Sequence, residues 1–286
     1  MSMHLDPATI VWDRFGGLEP ADPAWSGDRA YWEEFTAAFF AANGRDYDTA
    51  RDSNVDAWIT ASDRAPFSDM TEALLGRLSQ QMPLGDVEMV LLAHWLPDLH
   101  LGSSVTNFAM HHLGLDDCTG FAISDRGLSA PFFALDCLDR CLKGGTGKAL
   151  LLVMDQKNLL YRSPSVEAMN PANAAAAILL TREPPEGKSL CFAGYRRIVG
   201  CSDEAVAETV ADARQAFGLR EDARIIAAND VPGLPDTDIV MADPTLVCSA
   251  PFASLAEAGA SDTLLVLREE QALTVVGLKE TVSHAH

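Results

Sequence analysis

The chain has 286 residues, 48% of them hydrophobic, enough for one double-sized core or two modest ones. With 21 Lys and Arg against 41 Asp and Glu, the net charge of -20 disfavours nonspecific binding to nucleic acid or to an anionic membrane. The start, MSMHLDPATIVWDRFGG, lacks the basic n-region and apolar core of a secretion signal, and no uninterrupted apolar run reaches the roughly 18 residues of a membrane span, so a cytoplasmic location is expected.

In chain order, the first 65 residues hold four of the five tryptophans and the stretch YWEEFTAAFFAA, read as a helix ending near Asn43-Gly44. This segment is expected to be an extra packing layer or a partner surface. From Thr71 to His94, apolar residues recur at helical spacing, break at Pro83–Gly85 and resume as a strand from Val87. Apolar runs at Phe121–Ile123, Lys148–Met154 and Ala174–Thr181 read as buried strands. The stretch REPPEGK, Arg182–Lys188, breaks regular structure and places a junction between a first half, residues 1–183, and a second, residues 184–286. Ala205–Ala228 repeats the helix, break and strand order, with its break at Gly218. Thr263–Leu267 and Ala272–Leu278 then read as a closing hairpin around Arg268–Gln271. A helix-loop-strand unit that occurs twice predicts a duplicated α/β architecture.

The six cysteines show no paired C-x-x-C spacing, so buried free thiols are expected, with no metal and no other cofactor. Cys137 and Cys141 share one face of a helix, and the carboxylates of DCLDRC read as its exposed charged face. Gly144–Lys148, GGTGK, is similar to a phosphate loop. However, Leu142 stands where the first glycine belongs and Ala149 where the Ser or Thr belongs, so it reads as a helix-to-strand turn.

The stretch Leu113–Leu135, LGLDDCTGFAISDRGLSAPFFAL, resembles the nucleophile turn of the type III ketoacyl synthases of the thiolase superfamily, roughly LG…AFDINAACSGFLYAL. Further resemblances follow in order: SAPFFALDCLDRCLKGG and KALLLVMD to the family's helix, glycine turn and strand, and NAAAAILL, from Asn173, to its GDGAGAVVL strand. PTLVCSAPFASLAEA, from Pro244, is similar to GNTSSASIPLAL, and ALTVVGLKETV to the terminal GLTWGAALL strand. The resemblance spans Met70 to Val282 and implies an α/β, thiolase-like fold of two duplicated βαβαβ halves in a layered α-β-α-β-α arrangement.

In that family a cysteine takes the acyl group while a histidine and an asparagine polarise the thioester. Counting from Phe121 and from Pro251 puts two of these positions on Gly127 and Pro244, and in the turn ARIIAANDVPG after the second-half strand the nearest equivalent of the histidine is Asn229; none of the three supplies the same chemistry. Ser129 is the alternative nucleophile, or else an N-cap for the helix beginning near Ala130. His94 ends a strand, where it either faces the pocket or is satisfied by neighbours. The resemblance therefore implies a degenerate subunit, similar to the cysteine-less small subunit of the alkylquinolone-signal synthase heterodimer and to chain-length factors. Its expected partner is a catalytic ketosynthase homologue, or itself as a homodimer. Leu101, Gly102, Ser103 and Ser104 would reach the partner's acyl tunnel, and the ligands in play would be acyl-CoA or acyl carrier protein. The alternative is an acyltransferase in its own right, using Ser129 or the proximity of bound thioesters.

Overall fold

Apolar runs without polar alternation, such as Lys148–Asp155 and Asn173–Thr181, suit strands covered on both faces. Both are strands in the computed structural model, which describes residues 2–142, 147–235, 238–270 and 272–283. Elements through the first half are β1 (His4–Leu5), β2 (Val11–Phe15), α1 (Arg29–Ala42), α2 (Thr49–Asp52), α3 (Val55–Thr60), α4 (Phe67–Leu78), β3 (Val87–Ala93), α5 (Val105–Leu113), β4 (Thr119–Ile123), α6 (Ala130–Cys141), β5 (Lys148–Asp155), α7 (Pro164–Met169) and β6 (Asn173–Thr181). They continue with β7 (Gly187–Val199), α8 (Val206–Ala216), β8 (Arg224–Ala227), β9 (Ile239–Met241), α9 (Ala250–Ala258), β10 (Thr263–Glu269) and β11 (Ala272–Ser283).

Strand senses show the duplication. In order β4-β3-β5-β6-β2, the first three strands are mutually parallel, β6 is antiparallel to β5, and β2 is antiparallel to β6. In order β9-β8-β10-β11-β7 the same senses recur. The short β1 pairs antiparallel with both β6 and β7 and joins the two units edge to edge.

Side-chain direction alternates along each strand, so each sheet presents two apolar faces. Leu91, Ala93, Leu151 and Val153 of the first sheet meet Ile226, Ala228, Leu265 and Leu267 of the second across one shared core, with Phe132, Leu135 and Leu138 of α6 and Phe252 and Leu255 of α9 filling the layer between. The outer face of the first sheet packs under α4 and α5 through Leu92, Leu150, Leu152 and Met154. That of the second packs under α8 through Ile225, Ala227, Leu264 and Val266. The result is five layers, α-β-α-β-α.

Two segments depart from the sequence reading. The first 65 residues contribute β1 and β2 to the sheet; β2, VWDRF, does not alternate, with its two charged residues adjacent, and is too short to stand out. The rest of the segment is pinned by Arg64, which is fully buried with its guanidinium 4.1 Å and 4.7 Å from the ring centroids of Trp25 and Trp58, its Nε donating to Glu19 at 2.8 Å. The 13-residue β7 includes Gly187 and Lys188 of the expected junction, and its mixed sequence, exposed at its start and around Arg196–Arg197, hid it. Of the GGTGK turn, Gly144, Gly145 and Thr146 lie outside the described residues, and Lys148 opens β5.

Candidate active site

A tetrapeptide recurs 120 positions apart, Ser129-Ala130-Pro131-Phe132 at the start of α6 and Ser249-Ala250-Pro251-Phe252 at the start of α9. Each copy follows a tight 3-10 turn whose key residue has positive φ: Gly127 at 57° and Val247 at 53°. Glycine takes that conformation without strain, whereas in a β-branched valine it is held only by surrounding structure, at about 1–3 kcal/mol. In each turn the serine hydroxyl is turned inward. Ser129 Oγ donates to the Arg126 carbonyl at 2.6 Å, and Ser249 Oγ donates to the Leu246 carbonyl at 2.7 Å.

The two turns are tied together by crossed carboxylates. Asp155 ends β5 and Glu269 ends β10, at matching positions on the shared inner face. Glu269 accepts the Leu128 amide of the first turn at 2.7 Å. Asp155 accepts the Cys248 amide of the second turn at 3.1 Å, and also the Trp95 and Leu96 amides at 2.9 Å and 2.6 Å. Asp155 is fully buried, and burial outweighs these hydrogen bonds to push its pKa up to about 6. Cys248 lies beneath the first turn, its Sγ 3.9 Å from the Gly127 and Leu128 carbonyls. Burial, and then the neighbouring Asp155, hold this thiol well above its ordinary pKa, so it is an inert thiol and not a thiolate.

The decisive contact is at Gly127. A Cβ built there would collide with the Glu269 carboxylate, so that carboxylate fills the space that any side chain at this position would enter. The same carboxylate takes the Leu128 N–H, a donor at the start of α6 of the kind that stabilises a developing oxyanion. The turn therefore has its backbone shape, no reactive side chain and an occupied anion position.

Solved structures with this architecture match along the whole chain. They include ChlB3, described as an acyltransferase (TM-score 0.62, 14% identity, covering 99% of this chain and 98% of that one). OleA from Xanthomonas campestris, in a single-residue variant, gives TM-score 0.63 at 13% identity, with 98% of each chain covered. The 3-oxoacyl-(acyl carrier protein) synthase III, FabH, from Pseudomonas aeruginosa PAO1 gives 0.62 at 13% identity, with 100% of each covered. The fold is thiolase-like. At these identities the likeness concerns the fold; no family model matches the sequence, and no curated protein matches it.

On this thiolase-like frame the expected site residues separate. Gly127 and Ser129 line one cleft of about 740 Å³ with Trp95, Arg126, Arg268 and Glu269. Ser129 occupies the N-cap position of α6, yet its hydroxyl accepts no helix amide; it is 1% exposed and donates back to Arg126, so it is neither a side-chain cap nor an accessible nucleophile. Asn229 follows β8 and pairs with the backbone of Arg268, its Nδ2 donating to the carbonyl at 2.6 Å and its Oδ1 accepting the amide at 3.0 Å. It clamps the strand end from which Glu269 projects. Pro244 lies on the surface as the first residue of the second turn, behind Asp243, whose carboxylate accepts the Thr245 amide and pairs with Arg14. Leu101, Gly102, Ser103 and Ser104 line a separate cleft with His94 and with Phe121 on the edge strand β4. Ser104 caps α5 by accepting the Asn107 amide at 3.4 Å. His94 is held by its Nδ1 at 2.7 Å from the Leu96 carbonyl, and burial lowers its pKa.

Sequence reasoning missed Glu269, Asp155 and Cys248. The repeated Ser-Ala-Pro-Phe was a readable signal for the second turn. Nothing in the linear sequence couples Glu269 to Gly127, 142 positions away. Among the described residues no cluster of His, Cys, Asp and Glu could hold a metal ion, and no helix is long and apolar enough to cross a membrane.

Proposed function

We propose that the chain is a non-catalytic subunit of an acyl-condensing or acyl-transferring synthase, which pairs with an active ketosynthase homologue. The observation that carries this reading is the Glu269 carboxylate seated against Gly127 on the Leu128 amide. An acyl-enzyme needs a nucleophile and a free oxyanion donor at that point, and here one is absent and the other engaged. The whole-length likeness to a 3-oxoacyl-(acyl carrier protein) synthase and to an acyltransferase supports the general class, with acyl-CoA or acyl carrier protein as the thioester met by the partner.

The open edge of β4 supports this reading. This edge strand, TGFAI from Thr119 to Ile123, carries no charge, proline or other guard against pairing; Phe121 is 37% exposed, and Leu101 of the adjoining loop is 40% exposed. A homologous strand paired there would bring Leu101–Ser104 against the second chain. The test is co-expression with a cysteine-bearing ketosynthase homologue, followed by intact-protein mass spectrometry after incubation with acyl-CoA. The expected result is a stable complex with the acyl adduct on the partner alone. An adduct on this chain, abolished by Ser129→Ala, would instead establish the acyltransferase reading, which the burial of Ser129 disfavours.

A further inference from the structure

The loops that follow the parallel strands β3 and β5 leave a cavity beyond the carboxyl ends of the two strands, and α1 and α3 from the tryptophan-rich segment close it over. Four rings line it: Phe35 and Phe39 of α1, Trp58 of α3, and Tyr161 of the loop after β5, with Phe39 and Tyr161 stacked at 5.8 Å between ring centroids. Among the described residues of the wall, Asp98 alone carries a charge. The cavity measures about 70 Å³. A benzene ring needs about 150 Å³, so this space takes about three heavy atoms and no ring.

The Asp98 carboxylate is short of a partner. Its Oδ1 accepts the Phe67 amide at 2.9 Å, whereas Oδ2 is buried with no hydrogen-bond donor. The basic side chains of this part of the fold do not supply one, because Arg64 Nε and His100 Nε2 both face Glu19, at 2.8 Å and 2.6 Å. A buried carboxylate oxygen without a donor is costly, and burial holds the Asp98 carboxyl above its ordinary pKa. The donors of the polar neighbours are already spent: Thr36 Oγ1 donates to the Trp32 carbonyl at 2.7 Å, and Gln156 Nε2 donates to the Pro97 carbonyl at 2.6 Å. What the wall leaves unused is a carboxylate oxygen and a set of aromatic rings, and both attract a cation.

We propose that this cavity binds the head of a small primary amine as its ammonium ion, separately from the Gly127 turn. The ammonium donates to Asp98 Oδ2 while its first carbons lie among Phe35, Phe39 and Trp58, and a longer amine leaves by the mouth, where Phe39 is 45% exposed and Leu101 40%. The probe is methylammonium, followed by its methyl proton NMR signal on the full chain, in about 0.15 M sodium chloride to screen loose attraction to the net charge of -20. The expected result is a saturable upfield shift from the surrounding rings, displaced by ethylammonium but not by methanol, which has the size without the charge. Asp98→Asn, which keeps Oδ1 for the Phe67 amide, weakens binding about tenfold or more. Asp222→Asn removes the same charge at an exposed site and leaves binding unchanged. If Asp98→Asn does not fold, Phe39→Leu at the mouth serves instead, with binding weakened about threefold or more. Absence of a saturable shift, equal displacement by methanol, equal weakening by Asp222→Asn, or full binding by the folded Asp98 or Phe39 variant would each overturn the proposal.

Discussion

Replacing Gly127 by cysteine should not by itself restore a reactive thiol. Two terms oppose it. A non-glycine residue at φ 57° costs about 1–2 kcal/mol, and the Glu269 carboxylate must swing away, giving up its hydrogen bond to the Leu128 amide, a charge-assisted contact of about 1.5–3 kcal/mol. Together they amount to about 3–5 kcal/mol, a loss of roughly 6–20 °C in Tm at about 2–4 °C per kcal/mol for a chain of this size. Adding Glu269→Gly removes the collision and leaves the amide free at the start of α6, where a thiolate is stabilised. Thermal unfolding and iodoacetamide labelling read by intact mass, in a Cys141→Ser background because Cys141 is exposed, separate the cases. G127C should melt lower and label slowly, while G127C/E269G should gain a fast adduct at position 127 without recovering stability, because the φ cost remains and the bond to the Leu128 amide is lost in both. Fast labelling of G127C with unchanged Tm would show that Glu269 does not obstruct the turn.

Three further outcomes are expected. Ser129→Ala removes one buried hydrogen bond while the Arg126 carbonyl keeps the Ser129 amide as donor at 3.2 Å, so denaturant unfolding should show a loss of about 1 kcal/mol or less with complex activity unchanged. Asn229→Ala breaks both bonds to the Arg268 backbone and should cost about 1–3 kcal/mol; Asn229→His should not confer acyl transfer, because the side chain at this position is engaged in clamping a strand. Asp155 has a folded pKa of about 6 against an ordinary 3.8, so its contribution to stability is complete below pH ~4 and lost as pH rises through 6. By linkage the loss is about 3 kcal/mol. The unfolding free energy of Asp155→Asn should lack this component of the pH slope between 4 and 6; an unchanged slope would refute the assignment.

Much of the frame was legible because the evidence for it is local. Uniform apolar runs mark β5 and β6, the helix-break-strand order marks α4 with β3 and α8 with β8, and the REEQ turn marks the β10–β11 hairpin. Where burial is uneven, periodicity gives little, and β2 and β7 were lost for that reason. The site was only half legible. Gly127 could be read as a turn glycine, whereas giving Gly127, Asn229 and Pro244 the places of the family's three chemical roles rested on the resemblance alone. The inward bond of Ser129, the clamp of Asn229 on β10 and the exposure of Pro244 are facts about neighbours that no spacing reveals.

The sequence by itself determined that this chain folds as two like α/β halves and that the turn before α6 carries glycine, because strand burial, helix period and residue identity are properties of short stretches of chain. Only the tertiary structure decided what fills the turn. Glu269 reaches Gly127, and Asp155 reaches Cys248, because packing the two halves face to face brings the end of each central strand over the other half's turn. A carboxylate hydrogen-bonded across that interface is a long-range contact, and it exists only once both sheets have closed on their shared core.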